Sequence, residues 1–327
     1  MRIACLTHFY IEENRAGGEL MLHALLKALV DAGHEVTAYI TDTIKLNSNV
    51  DGVSIVYGAR PDVVLDTCEY DAVVSQFQSA AFAMDSAKRR HKPFIYVVHN
   101  DMWQTSRTVK LLAPRDLAVY NSQWISDLNT TTARELVVHP PVDRQAIKTK
   151  TTSEYVTLVN LTVPKGADIF IALARRMPQV KFLGVKGGYW KDAQMDITLP
   201  NVTIIDNTPN MRDEVYAKSK VIIMPSTYET FGMVAAEAIA SGIPVLATPT
   251  AGLKENLGDA GVYARRGTHD IDKWQDALHD LLTDKPYYKE VSKRSIAQSK
   301  VINTTDELKE FVKTVEGLVD ANIRPRE

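Results

Sequence analysis

Val221-Ile222-Ile223-Met224-Pro225-Ser226-Thr227-Tyr228-Glu229-Thr230-Phe231-Gly232-Met233-Val234-Ala235-Ala236-Glu237 passes from an apolar run, through a loop carboxylate, into a helical pattern with a second carboxylate. Val221 to Met224 is short, apolar and stopped by Pro225, which predicts a buried strand. Phe231 to Ser241 predicts a helix closed by Gly242. Strand, loop and helix in that order make half of a βαβ unit, and the same alternation extends in both directions along the chain. Upstream, strands are expected at Ile3–Leu6, Val36–Ile40, Ala72–Ser75, Phe94–Val98, Leu117–Tyr120 and Leu136–Val138. The pattern restarts with Tyr155–Val159, Val180–Leu183, Val202–Ile205, Val221–Met224 and Val245–Ala247. The fold class is therefore α/β, with two parallel-sheet, Rossmann-like domains.

Pro140-Pro141-Val142-Asp143 and the polar run Lys148 to Ser153 interrupt regular structure between the halves. The expected division is an N-terminal domain over 1–150, a second over 151–303 and a last helical segment over 304–327. With 327 residues the chain exceeds a usual single core. Its 45% hydrophobic and 24% charged content is that of an ordinary globular protein, and a formal net charge of −2 offers no global attraction to nucleic acid or anionic membrane. The apolar start turns polar by Thr7-His8, too soon for a signal peptide, and no transmembrane segment is read. Two cysteines, Cys5 and Cys68, fit a reducing compartment, so the expected location is cytoplasmic, with peripheral attachment to a membrane left open.

With a helix starting near Thr230, the eight residues from Glu229 to Glu237 would give roughly 12 Å of rise and about 80° of rotation. Two pure acceptors would then flank a helix start whose free amides and partial positive charge suit a diphosphate. Hydroxyls at both ends and a diphosphate between them describe an activated sugar nucleotide. Taken alone, the two Glu also read as a solvated loop residue and a surface helix position; the flanking residues decide.

Those residues, Pro-Ser-x-x-Glu-x-Phe-Gly-x-x-x-x-Glu-Ala-x-Ala-x-Gly-x-Pro-Val from Pro225 to Val245, closely resemble the retaining glycosyltransferases of family 4, which have the GT-B fold. The resemblance implies that Glu229 binds the donor sugar, that Glu237 binds the ribose hydroxyls, and that Thr230, Phe231, Gly232 and Met233 line the diphosphate or sugar. It also implies a cleft between the domains, retention at the anomeric carbon and a last helix returning to the first domain.

Other residues join this set. Gly17 and Gly18, after the first strand and before a helix marked by Leu22, Leu25, Leu26 and Leu29, allow close backbone approach, and family members carry a Gly-Gly loop there. His99 ends the strand Phe94–Val98, at the sheet edge where α/β folds bind ligands; the family places a His there beside the donor sugar. Lys165 follows a strand and can reach an anion. Family members commonly pair such a Lys with an Arg five residues earlier; here that position is Asn160, with Arg15, Arg107 and Lys186 as candidates to compensate. Gly184-Val185-Lys186-Gly187-Gly188 resembles the turn that admits the nucleotide base, placed after the strand Val180–Leu183.

Glu229, His99 and Lys165 are thus the expected catalytic groups. No permanent cofactor and no metal are expected, because amides and Lys165 can stabilise the charge that grows on a departing phosphate. The donor would be a nucleoside-diphosphate sugar of the UDP or GDP type. The acceptor hydroxyl is open among a glycan, a lipid-linked group, a small molecule and modified DNA. Lys88, Arg89, Arg90 and Lys92 read as a solvated face or as a contact to an anionic acceptor. A nucleotide-sugar-binding protein without turnover and a sugar-nucleotide epimerase are the competing readings; nucleoside diphosphate release with acceptor separates them.

Overall fold

A computed structural model describes residues 1–187, 195, 197–267, 270–302 and 304–323. The chain forms two compact units, Met1–Pro141 joined by the C-terminal helix, and Val142–Ile302. The break falls at Pro141-Val142, before the polar run at 148–153.

In the first unit, β1 (Arg2–Thr7), β2 (Glu35–Ile40), β3 (Ser48–Val50), β4 (Val53–Tyr57), β5 (Ala72–Gln76), β6 (Phe94–Val98), β7 (Leu117–Tyr120) and β8 (Arg134–Val137) form one sheet in the order β3-β4-β2-β1-β5-β6-β7-β8. All neighbours are parallel except β3 and β4. The side-chain period of two sends Ile3 and Cys5 to one face and Ala4 and Leu6 to the other. On the first face lie Leu22, Leu25, Leu26 and Leu29 of the helix Gly17–Asp31, with Phe311, Val315, Leu318 and Val319 of the helix Thr304–Ile323. On the second lie Ala83, Met84 and Ala87 of the helix Ala80–Arg89. Both faces are covered, which is why the strands read as nearly continuous apolar runs.

The second unit holds β9 (Tyr155–Val159), β10 (Phe182–Val185), β11 (Val202–Ile205), β12 (Ser219–Met224), β13 (Val245–Ala247) and β14 (Val262–Tyr263), parallel in the order β11-β10-β9-β12-β13-β14. Phe170, Leu173, Trp274 and Leu278 cover one face. Ala235, Ala238, Ile239, Leu253 and Leu257 cover the other.

Each sheet has a point where the chain, having added strands outward on one side, begins adding them on the other. These points lie between β1 and β5 in the first unit and between β9 and β12 in the second. Loops diverge there at the strands' carboxyl ends and leave a crevice, the usual ligand position in open α/β sheets.

The structure corrects several expectations. The hairpin β3–β4 was not anticipated, although Asp51 (φ 51°) and Gly52 (φ 87°) form its two-residue left-handed turn. β10 runs Phe182–Val185 rather than Val180–Leu183, so Gly184 lies inside the strand and not in a turn after it. A Cβ there would approach Leu161 and Ile204 side chains at 2.9 Å, and close packing is what the glycine provides. Gly188, expected in the same turn, lies outside the described residues. The helix after β12 is Met233–Ala240, later and shorter than Phe231–Ser241, because Gly232 at φ 87° supplies a left-handed entry. The helical arithmetic linking Glu229 to Glu237 therefore fails: Glu229 belongs to the loop, and Glu237 lies in the second turn of the helix.

Candidate functional site

At the β9–β12 switch point two loops interlock. Gly166 (φ 98°) packs against Pro225, where a Cβ would lie 2.5 Å from the ring, and the Thr227 amide donates to the Pro164 carbonyl at 2.9 Å. Arg266, unforeseen in the sequence, clasps both loops: its guanidinium donates to the Pro225 and Val163 carbonyls and pairs with Asp168 at 2.8 Å. This register places Lys165 Nζ 2.5 Å from Glu229 Oε1, an oxygen that also accepts from Ser226 Oγ at 3.0 Å. The two side chains are 29% and 12% exposed, so the pair lies at the crevice surface and can be reached.

Beyond Glu229 the backbone of Thr230 presses on the helix Ala251–Leu257, where a Cβ on Gly252 would lie 2.4 Å from the Thr230 carbonyl. Buried Asn256 donates through Nδ2 to the Phe231 and Gly232 carbonyls at 3.1 and 2.9 Å. With both carbonyls turned inward, the helix opens at Met233 with no capping side chain. Its first amides, Met233 and Val234, have no acceptor within the helix, and the helix dipole adds positive potential there.

Glu237 accepts a hydrogen bond at Oε2 from the hydroxyl of wholly buried Tyr216. Burial pushes its carboxyl up to about 7, with the Tyr216 hydrogen bond acting in the opposite direction. Asn160 adopts φ 73°, and a Cβ on Gly187 would lie 2.6 Å from its side chain, so Asn160 packs over that glycine. Lys186 pairs with Asp206 at 3.1 Å.

In the first unit the β1–β5 switch point gathers the other expected residues. Gly17 and Gly18 are the first two residues of their helix rather than a turn before it. A Cβ on Gly18 would lie 2.9 Å from Phe77 Cζ and 3.9 Å from His99 Cε1. Phe77, at φ 50°, stacks on the His99 ring with centroids 4.8 Å apart. His99 Nε2 meets Gln76 Oε1 at 2.7 Å, and burial pushes the imidazole down to about 4, leaving it neutral near pH 7.

The basic run is divided in its roles. Arg89 forks onto Asp66 at 3.0 and 2.8 Å, while Arg90 donates to the Leu65 carbonyl at 2.7 Å and lies over the Tyr70 ring at 4.8 Å. An Asp-x-Asp spacing occurs at Asp270 and Asp272, where both carboxylates are engaged: Asp270 pairs with Lys273 at 2.9 Å and Asp272 with Arg176.

Residues 155–284 match the model of the family described as Glycosyl transferases group 1. That stretch lies within the second unit. D-inositol 3-phosphate glycosyltransferase of Mycobacteroides abscessus is 29% identical over 187 residues, 50% of this chain and 42% of the relative. Its counterpart in Mycolicibacterium smegmatis is 30% identical over 188 residues, 50% and 43% of the two chains. The chain thus spans less than half the length of these glycosyltransferases. HepE of Anabaena, solved in complex with UDP-glucose, superposes with a TM-score of 0.78 at 15% identity over 97% of this chain and 100% of that one. Sucrose-phosphate synthase from Thermosynechococcus elongatus gives 0.77 at 14% identity over 98% and 100%. With the two parallel sheets, these likenesses identify a glycosyltransferase fold of the GT-B type. Tyr216, Asn256, Arg266, Gln76 and Phe77, which contact the candidate residues or their loops, were not expected from the sequence.

Proposed function

We propose that this chain transfers a sugar from a nucleoside-diphosphate sugar of the UDP or GDP type to a hydroxyl acceptor, with retention at the anomeric carbon and without a metal. One observation carries the reading: Lys165, Glu229 and an uncapped helix start converge at the β9–β12 switch point. In this reading the diphosphate lies on the amides of Gly232, Met233 and Val234, with Lys165 turning to it from Glu229. Glu229, once released, accepts from hydroxyls of the donor sugar, Glu237 accepts from the ribose, and Thr230 and Phe231 shape the floor between them. Asn160 and Gly184 set the backbone beneath the nucleotide. Gly17, Gly18 and His99 serve the same reaction from the first unit.

Breaking the bond between sugar and phosphate places negative charge on the leaving diphosphate and positive charge on the ring. Fixed amides and an ammonium aimed at the phosphate favour that charge more than the ground state, which is the condition for acceleration. The family match of the second unit and the UDP-glucose complex of HepE support the donor class.

Thermal-shift titration with UDP- and GDP-sugars and the free diphosphates tests the donor, since a bound ligand raises stability with occupancy. Transfer is then read as nucleoside diphosphate release that depends on acceptor, and the anomeric configuration of the product by NMR. Absence of stabilisation by every sugar nucleotide overturns the donor assignment, and an inverted product overturns retention.

A further inference from the structure

Gln76 ends β5 and is buried, as is Thr7 at the end of the adjacent β1. Three hydrogen bonds run through them. Thr7 Oγ1 donates to the Phe9 carbonyl at 3.2 Å, Gln76 Nε2 donates to Thr7 Oγ1 at 3.3 Å, and Gln76 Oε1 meets His99 Nε2 at 2.7 Å. A carbonyl can only accept, so the single hydroxyl proton of Thr7 is committed to Phe9, and Thr7 Oγ1 must face Gln76 as an acceptor. That requirement turns the amide nitrogen of Gln76 toward Thr7 and its oxygen toward the imidazole. The flipped amide would forfeit the bond to Phe9 and keep two hydrogen bonds in place of three.

We infer that Gln76 is a positioning residue that fixes His99 with its proton on Nε2, leaving Nδ1 as a neutral acceptor for a hydroxyl of a bound ligand. The imidazole is partly buried, which favours its neutral form, and the stacked Phe77 ring, admitted by the missing side chain of Gly18, holds its plane. Among the described residues no group is bonded to Nδ1. A neutral imidazole with a fixed tautomer has one acceptor and one donor, so an occupied Nε2–H restricts the ring to accepting from its ligand. The consequence for a substrate rests on the proposed function; the tautomer of the free protein does not.

The test is long-range 1H–15N correlation on protein labelled at its eight histidines, with the His99 signals assigned by their loss in His99→Asn. The expected result near pH 8 is a single Nε2–H tautomer in the wild type. It should persist in Gln76→Glu, whose carboxylate still accepts from Nε2. In Thr7→Val, which keeps shape but frees the amide to turn, both tautomers should appear. A wild-type ring protonated on Nδ1, or averaged between the two forms, overturns the assignment, as does Thr7→Val with an unchanged spectrum and a native circular dichroism signal. Should Thr7→Val fail to fold, the wild-type and Gln76→Glu spectra decide alone. Sugar transfer by His99→Asn at the wild-type rate, with the Nε2–H tautomer intact in the wild type, would remove His99 from the reaction and leave the role of Gln76 standing.

Discussion

Lys165 and Glu229 neutralise each other across the interlocked β9 and β12 loops, Nζ to Oε1 at 2.5 Å. The two groups proposed for phosphate and sugar are thus each other's partners in the free chain, and under that proposal a donor must part them to use either. Glu229→Gln keeps the shape and the Ser226 contact but removes the charge. We expect turnover to fall by about 10²-fold, the scale for losing a preorganised polar group at a reacting centre, with a melting temperature close to wild type. Steady-state kinetics with a calorimetric scan checks both; full activity would remove Glu229 from the mechanism. Lys165→Met should weaken diphosphate binding and, by leaving Glu229 with a lost charged partner, lower stability by roughly 1–3 kcal/mol.

Under the proposed function, Glu237 gives the donor site a pH dependence. Its carboxyl is pushed up to about 7 by burial, and a hydroxyl donor binds best to the ionised form. Donor affinity measured by isothermal titration should therefore fall as pH drops below 7, approaching tenfold per unit. Stability runs the other way. A carboxyl whose folded value exceeds its ordinary 4.5 favours the folded state when protonated, so stability declines as pH rises from about 4.5 to 7 and levels above that. Tyr216→Phe removes the hydrogen bond that opposes the shift and should move the affinity midpoint to higher pH. An unmoved midpoint would show that Tyr216 does not act on Glu237.

The fold was legible because its signals are local. Leu22, Leu25, Leu26 and Leu29 mark a helix by spacing, and Phe94–Val98 marks a strand buried on both faces. The placement of Lys165, Glu229 and His99 was legible for a related reason: each was expected just after a strand and each is found there, at the sheet edge where parallel sheets bind ligands. What the sequence withheld depends on loops meeting across the fold. Arg266 reaches Pro225 and Val163, Asn256 reaches Phe231, and Gln76 reaches Thr7, all over separations that periodicity does not report. Gly184 misled because a glycine packed inside a strand looks the same in sequence as one in a turn.

Asn256 and Gly252 together shape the Thr230–Gly232 backbone on which the proposed diphosphate site depends. Asn256→Asp replaces two donated hydrogen bonds by a carboxylate facing two carbonyls, a buried mismatch worth roughly 2–3 kcal/mol or more. Gly252→Ala forces a methyl into the Thr230 carbonyl, with overpacking of about 1–3 kcal/mol. Both variants should lower the denaturation midpoint and weaken nucleoside diphosphate binding. Binding at wild-type strength in either variant would show that this turn does not hold the phosphates.

The run from Lys88 to Lys92 separates into side chains that hold the first unit together and others that do not. Arg90 satisfies the Leu65 carbonyl and covers Tyr70, so Arg90→Ala should cost roughly 1–3 kcal/mol through the lost charged hydrogen bonds and packing. Arg89 is half-exposed in its pairing with Asp66, and its removal should move the denaturation midpoint less than Arg90→Ala does. Lys88→Glu with Lys92→Glu should leave the denaturation midpoint nearly unchanged, which makes that double variant the suitable probe for an anionic acceptor. Electrostatic grip on a polyanion weakens steeply with salt. If retention on DNA or on anionic vesicles at low salt is the same for the double variant and the wild type, the run serves the fold alone; if retention is lost with folding intact, the lysines meet an anion.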